Sequence, residues 1–122
     1  MGNKRILIVD DDPDLCDLIS LEFSRTGYEV ITAASGEEAL RKARAQPMDL
    51  ILLDVMMPGM DGYHVAQELT TSMGDRAPKI IIMTARNVQN EKGIGLMSGA
   101  VDMVQKPFST SDLREKVEKL LT

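Results

Sequence analysis

One cysteine, one histidine, no tryptophan, two tyrosines and two phenylalanines stand in 122 residues, and each scarcity closes off a class of function. A lone Cys16 has no partner for an internal disulfide, and its place in an apolar-periodic segment marks it as a reduced, half-buried helix residue without chemistry of its own. The single His64 falls within a segment of helical pattern and reads as a surface residue, not a ligand. No apolar run approaches the roughly 20 residues needed to cross a bilayer, which excludes a membrane span. The chain has no basic cluster, and its net charge is −5. Direct nucleic-acid binding by this segment is therefore not expected, because phosphate contacts need Lys or Arg gathered on one face. The opening Met1-Gly2-Asn3-Lys4-Arg5 passes at once into Ile6 to Val9 without a signal-peptide core, so a cytoplasmic location is expected.

What the chain does have is alternation. Its length suits one domain with a real core, and 1–122 is read as a single unit. Short runs rich in β-branched residues and leucine fall at Arg5 to Val9, Tyr28 to Ala33, Asp49 to Leu53, Lys79 to Met83 and Met103 to Gln105. Helical periodicity occupies Pro13 to Thr26, Gly36 to Ala45, Gly62 to Ser72, Asn87 to Ser98 and Ser109 to Leu121. Five such units imply an α/β fold, a parallel sheet covered by helices on both faces. Asp12-Pro13 reads as a cap and first-turn proline, Gly27 as a stop, and Ser35 with Glu38 as a capping box. Leu15, Leu18, Ile19 and Phe23 form the expected core stripe of the first helix, and Leu113, Val117, Leu120 and Leu121 that of the last. Gly93 and Gly95 each cost a helix interior roughly 1 kcal/mol relative to Ala, so the fourth helix should be the least stable.

Ligands of open parallel sheets bind beyond the carboxyl ends of the strands. Those ends carry Asp10, Asp11 and Asp12 after the first strand, Asp54 after the third, Thr84 after the fourth and Lys106 after the fifth. Asp54 directly follows Leu50-Ile51-Leu52-Leu53, and burying an ionised carboxylate is costly unless something compensates. If Asp10, Asp11 and Asp54 converge, three carboxylates face one lysine, and a divalent cation resolves the repulsion. Hard carboxylate oxygens without His or Cys partners favour Mg²⁺, an ion commonly shared with a phosphate. A carboxylate nucleophile, a metal and a lysine together suit phosphoryl transfer.

The ordered set Ile6-Leu7-Ile8-Val9-Asp10-Asp11-Asp12-Pro13, Asp54-Val55-Met56-Met57-Pro58-Gly59-Met60-Asp61-Gly62, Met83-Thr84-Ala85 and Lys106-Pro107-Phe108 resembles the response-regulator receiver family of two-component signalling. Thirty residues separate Asp54 from Thr84 and fifty-two separate it from Lys106; the order and spacing carry the resemblance, which covers essentially the whole chain. It implies a five-stranded flavodoxin-like sheet in the order 2-1-3-4-5, the order known for a receiver protein of this family. It also implies that Asp54 is the phosphoacceptor. Asp11, Asp54 and the backbone carbonyl of Met56 would bind Mg²⁺ directly, with Asp10 acting mainly through a bound water. Asp12 would cap the first helix. Lys106 would pair with phosphoryl oxygens, and the Thr84 hydroxyl would turn toward one of them. A cis Lys106-Pro107 peptide is expected from the same resemblance.

Two positions depart from the family pattern. Met103 stands where most receivers carry an aromatic residue that moves with the threonine, which implies a Thr84/Met103 switch of smaller amplitude. Met56 offers no polar group to orient an attacking water, which implies slow loss of the phosphoryl group. The donor implied is a histidine kinase or a histidine phosphotransfer protein, and the output runs through the fourth helix, fifth strand and fifth helix to an unidentified partner. A phosphatase of the haloacid dehalogenase type competes through Asp10-Asp11-Asp12, but lacks the Gly-Thr that should follow. A flavin-binding protein of this topology would need a Ser/Thr-rich phosphate loop and more aromatics. A degenerate receiver that takes no phosphate is the remaining alternative.

Overall fold

The strand runs become a sheet because leucine and β-branched side chains suit a pleated surface buried on both faces. In the computed structural model, which describes residues 3–59 and 61–122, the strands are β1 (Arg5–Val9), β2 (Glu29–Ala33), β3 (Leu50–Asp54), β4 (Lys79–Thr84) and β5 (Asp102–Gln105). The helices are α1 (Pro13–Arg25), α2 (Gly36–Ala45), α3 (Gly62–Met73), α4 (Val88–Met97) and α5 (Thr110–Leu121), with a 3₁₀ turn at Gly74–Arg76. Met1, Gly2 and Met60 lie outside the described residues, and with them the first positions of the leader reading and one position of the Asp54 to Gly62 motif.

The strands pair in parallel in the order β2-β1-β3-β4-β5, so the expected doubly wound α/β arrangement is the one observed. Side chains alternate across the sheet and build two cores. Leu7, Val9, Ile51, Leu53, Ile80 and Ile82 meet α2 and α3 on one face. Ile6, Ile8, Leu50, Leu52, Ile81 and Met83 meet α1 and α5 on the other.

The helix starts follow local chemistry. Asp12 accepts from the Asp14 and Leu15 amides at the head of α1, with Pro13 at the first helical position, and Ser35 accepts from the Glu38 amide at the head of α2. The capping box closes one residue earlier than expected: Glu38 Oε1 accepts from the amide of Ala34, not from that of Ser35. Gly27, at φ 98°, ends α1 in a conformation that favours glycine.

The expected stripe of α1 needs one correction. Leu18 is 58% exposed, and the buried row is Cys16, Ile19 and Phe23, with Leu15 at its margin. At about 100° per residue these positions share one side, whereas Leu18 falls well round toward solvent. In α5 the stripe holds, with Leu113 and Val117 buried and Leu120 and Leu121 packed against them.

Candidate functional site

Sheet order brings the acids together. In β1 and β3, Val9 pairs with Leu53 and Ile8 with Leu52, so Asp10, just beyond β1, and Asp54, the last residue of β3, emerge side by side. Asp54 and Thr84 are the closing residues of their strands, where the hydrophobic pattern alone had ended each strand one residue earlier. Asp10 and Asp54 are only 2% and 4% exposed, and Asp11 is exposed. One carboxylate oxygen from each of the three lies within 4.8 Å of the others.

Two buried carboxylates at a sheet edge demand compensation. Lys106 supplies most of it, with Nζ 2.7 Å from Asp10 Oδ2 and 3.6 Å from Asp54 Oδ1. Backbone donors supply the rest: the Met56 amide donates to Asp54 Oδ1 at 3.1 Å, and the Asp12 amide to Asp10 Oδ1 at 3.0 Å. Burial pushes the Asp54 carboxyl above its ordinary range; the Met56 hydrogen bond works against this and the charge of Asp10 adds to it. Burial alone would lower the Lys106 ammonium, but its hydrogen bond to Asp10 and the charges of Asp10 and Asp54 together leave it raised. Three carboxylates against one ammonium leave a negative site built only of hard oxygens. That donor set fits a Mg²⁺ ion, which prefers a few carboxylates and retained waters.

The remaining sequence-derived residues fall around this centre. Thr84 is fully buried, and its Oγ1 accepts from the Arg86 amide at 3.0 Å. Met103 is buried on the face of the sheet shared with α2 and α3, and the Met56 side chain is 49% exposed. The Lys106-Pro107 peptide is cis. His64 sits on the exposed surface of α3, 3.8 Å from Glu68. The Cys16 thiol, buried and donating to the Asp10 carbonyl, is held protonated, its pKa pushed up to about 11 by burial and then by the charges of Asp10, Asp12 and Asp17.

Several residues that shape the site carried no individual signal. Gly62 opens α3 so close to β3 that a Cβ there would run into the carbonyl oxygen of Asp54 and the backbone of Val55. The signal available was a glycine placed directly after the helix cap Asp61, where glycine has no propensity reason to stand. Around α4, Tyr63 and Arg86 are tied to Glu91, and Gln105 to the Val88 amide, by pairings that only the folded chain creates.

Residues 6–118 match the family profile of the response regulator receiver domain. The chain is 42% identical to the alkaline phosphatase synthesis transcriptional regulatory protein PhoP of Bacillus subtilis, over 98% of this chain and 49% of that protein. It is 41% identical to the probable transcriptional regulator ycf27 of Cyanophora paradoxa, over 99% of this chain and 49% of that protein. It thus spans about half the length of these curated relatives. Among solved structures, the response regulator TrrA of Thermotoga maritima, in complex with Mg²⁺ and BeF, is 42% identical with a TM-score of 0.86, covering 97% of this chain and 99% of that one. The chemotaxis protein CheY4 of Vibrio cholerae superposes with a TM-score of 0.91 at 31% identity, over 98% of this chain and all of that one. With the sheet order, the acid cluster and these likenesses in agreement, the chain belongs to the response regulator receiver domain family of two-component systems.

Proposed function

We propose that Asp54 accepts a phosphoryl group from a phosphohistidine, on a histidine kinase or a histidine phosphotransfer protein. The observation that carries this reading is the convergence of Asp10, Asp11 and Asp54 within 4.8 Å of one another, with Lys106 reaching in from β5. An Asp54 carboxylate oxygen attacks phosphorus and an O–P bond forms. The P–N bond breaks and its electron pair stays on the imidazole nitrogen; with the other ring nitrogen already protonated, the histidine leaves as neutral imidazole. The product is an acyl phosphate on Asp54.

Asp11, Asp54 and the Met56 carbonyl are the residues that would hold Mg²⁺, with Asp10 reaching it through water. When bound, the ion neutralises charge on the transferring oxygens. Lys106 gives its ammonium to a phosphoryl oxygen, and the Thr84 hydroxyl donates to another. The half-exposed Met56 thioether has no proton acceptor to orient an attacking water, so the phosphoryl group is lost slowly. A half-life of seconds at neutral pH would contradict that.

In this reading residues 1–122 act as one receiver domain in the cytoplasm, and its output is a change in the α4, β5 and α5 face. Met103 takes the place of the usual aromatic in a Thr84/Met103 switch of small amplitude. Asp and Glu outnumber Lys and Arg by 19 to 14, which speaks against direct binding of nucleic acid by this segment. The domain catalyses only its own phosphorylation and dephosphorylation.

Acetyl phosphate with Mg²⁺, followed by intact-mass measurement, tests the proposal. One added phosphoryl mass that disappears in Asp54→Asn is expected. No addition would mark a degenerate receiver. Addition surviving Asp54→Asn but lost in Asp10→Asn would point to the haloacid dehalogenase reading.

A further inference from the structure

Helix α4 is poorly provided with the means to hold itself in place. Among its residues only Gly95 is buried, and Gly93 and Gly95 in its interior each cost about 1 kcal/mol relative to Ala. Its position therefore rests on the side chains that other elements press against it, and these follow one face. Val88, Glu91 and Gly95 are spaced three and four residues apart, so they stack along one side of the helix.

Each of these three meets a different contact. At the first turn the Val88 amide, one of the helix's unpaired N-terminal donors, donates to Gln105 Oε1 at 3.1 Å. In the middle Glu91 Oε1 accepts from the Tyr63 hydroxyl of α3 at 3.2 Å and from Arg86 at 3.0 Å. Farther along, Gly95 leaves the space that the Met103 side chain occupies, and a Cβ there would overlap its sulfur. Gln105 and Met103 lie two apart on β5 and point to the same side of the sheet. They pair in register with Thr84 and Ile82 of β4, and Gln105 immediately precedes Lys106.

We infer that Gln105 is a positioning residue, the link through which the state of the acid site reaches α4. The inference rests on the phosphoryl-accepting reading of Asp54. Thr84 and Lys106 are both tied to the end of β5: Thr84 lies beside Gln105 in the sheet, and Lys106, the next residue, donates its amide to the Thr84 carbonyl at 2.7 Å. Any displacement of Thr84 and Lys106 toward an anion on Asp54 moves Gln105 with them. Its carboxamide holds the first turn of α4, so the helix follows at that end, while Met103 against Gly95 forms the second bearing. The Arg86 and Tyr63 contacts to Glu91 keep the middle of α4 on α3, which turns a shift at the first turn into a tilt.

The test uses the whole chain with Mg²⁺ and beryllium fluoride as the phosphoryl mimic, reading backbone hydrogen exchange and anion affinity together. In the parent, anion binding changes exchange across α4. Q105L removes the acceptor: the Val88 amide exchanges about five-fold faster without the anion, the size expected for one lost hydrogen bond. Q105L still binds the anion, while the response of α4 collapses. Q105E, which keeps an acceptor oxygen, restores both protection and response. Unchanged exchange in β1 and α1 separates this from a general loss of stability. If the parent binds the anion but α4 does not respond, or if Q105L responds as the parent does, the link is overturned. If the parent binds no beryllium fluoride at all, the phosphoryl-accepting reading fails instead.

Discussion

The Lys106 ammonium lies closer to Asp10 than to Asp54, at 2.7 Å from Asp10 Oδ2 against 3.6 Å from Asp54 Oδ1. One cation thus answers two carboxylates, and the residue read as the phosphoacceptor has the looser share. Asp54 relies correspondingly more on the Met56 amide. The arrangement leaves the Asp54 oxygens less committed than those of Asp10.

Removing that cation strands both acids. K106M is expected to destabilise the metal-free protein by about 3–5 kcal/mol, the cost of leaving buried charge without its partner. Mg²⁺ should recover much of the loss, since it supplies the missing positive charge. Urea unfolding with and without Mg²⁺ measures both.

Asp54 itself should behave in the opposite way. Its carboxyl is raised, so the folded protein holds that proton more tightly than the unfolded chain does. The stability this contributes is present below the ordinary value of 3.8 and is lost as pH rises through the folded value. At neutral pH the ionised group therefore costs stability. D54N should melt a few degrees above the parent in a chelator, whereas added Mg²⁺ should raise the melting temperature of the parent more than that of D54N. A melt of D54N below the parent in chelator would contradict the account.

Cys16 sets an alkaline limit. Its thiol ionises at about 11 in the fold against an ordinary 9.0, so between those values the unfolded chain releases a proton that the folded one keeps. Stability should be level in this respect below pH 9.0 and fall across that window, by about 3 kcal/mol in all. C16A should lack this part of the slope. Tyr28 and Tyr63, both raised mainly by burial, add an alkaline loss common to both proteins, so the difference between the two curves is the measurement. The parent thiol should also react slowly with alkylating reagents until the protein unfolds.

The glycines should divide sharply. G62A forces a methyl group against the backbone of Asp54 and Val55 and should cost about 1–3 kcal/mol, while weakening Mg²⁺ binding because Asp54 and Met56 must shift. G93A meets open space at a position without positive φ and should gain about 1 kcal/mol from helix propensity. Thermal melts and Mg²⁺ titration of the two variants check the contrast.

Much of this protein was legible in its sequence because local signals and global pattern coincide. Apolar runs of strand length, the caps Asp12 and Ser35 and the stop Gly27 are short-range features, and each acts within a few residues of where it is written. Asp10, Asp11, Asp54, Thr84 and Lys106 were legible for a related reason: polar residues ending apolar runs must emerge at one edge of a parallel sheet, whatever the details of packing. Leu18 could not be placed in this way, because an apolar residue at a helix margin is assigned to core or solvent only when the neighbouring elements take up their angles. The same holds for the division of Lys106 between two acids and for the meeting of Gln105 with Val88, Tyr63 with Glu91 and Met103 with Gly95. Those contacts join residues on different elements, and sequence periodicity carries no information about the distance between two side chains that only sheet register and helix packing bring together. The sequence by itself determined which chemistry collects at the strand ends; the tertiary structure alone decided how charge is shared there and which side chains hold the helix beside it.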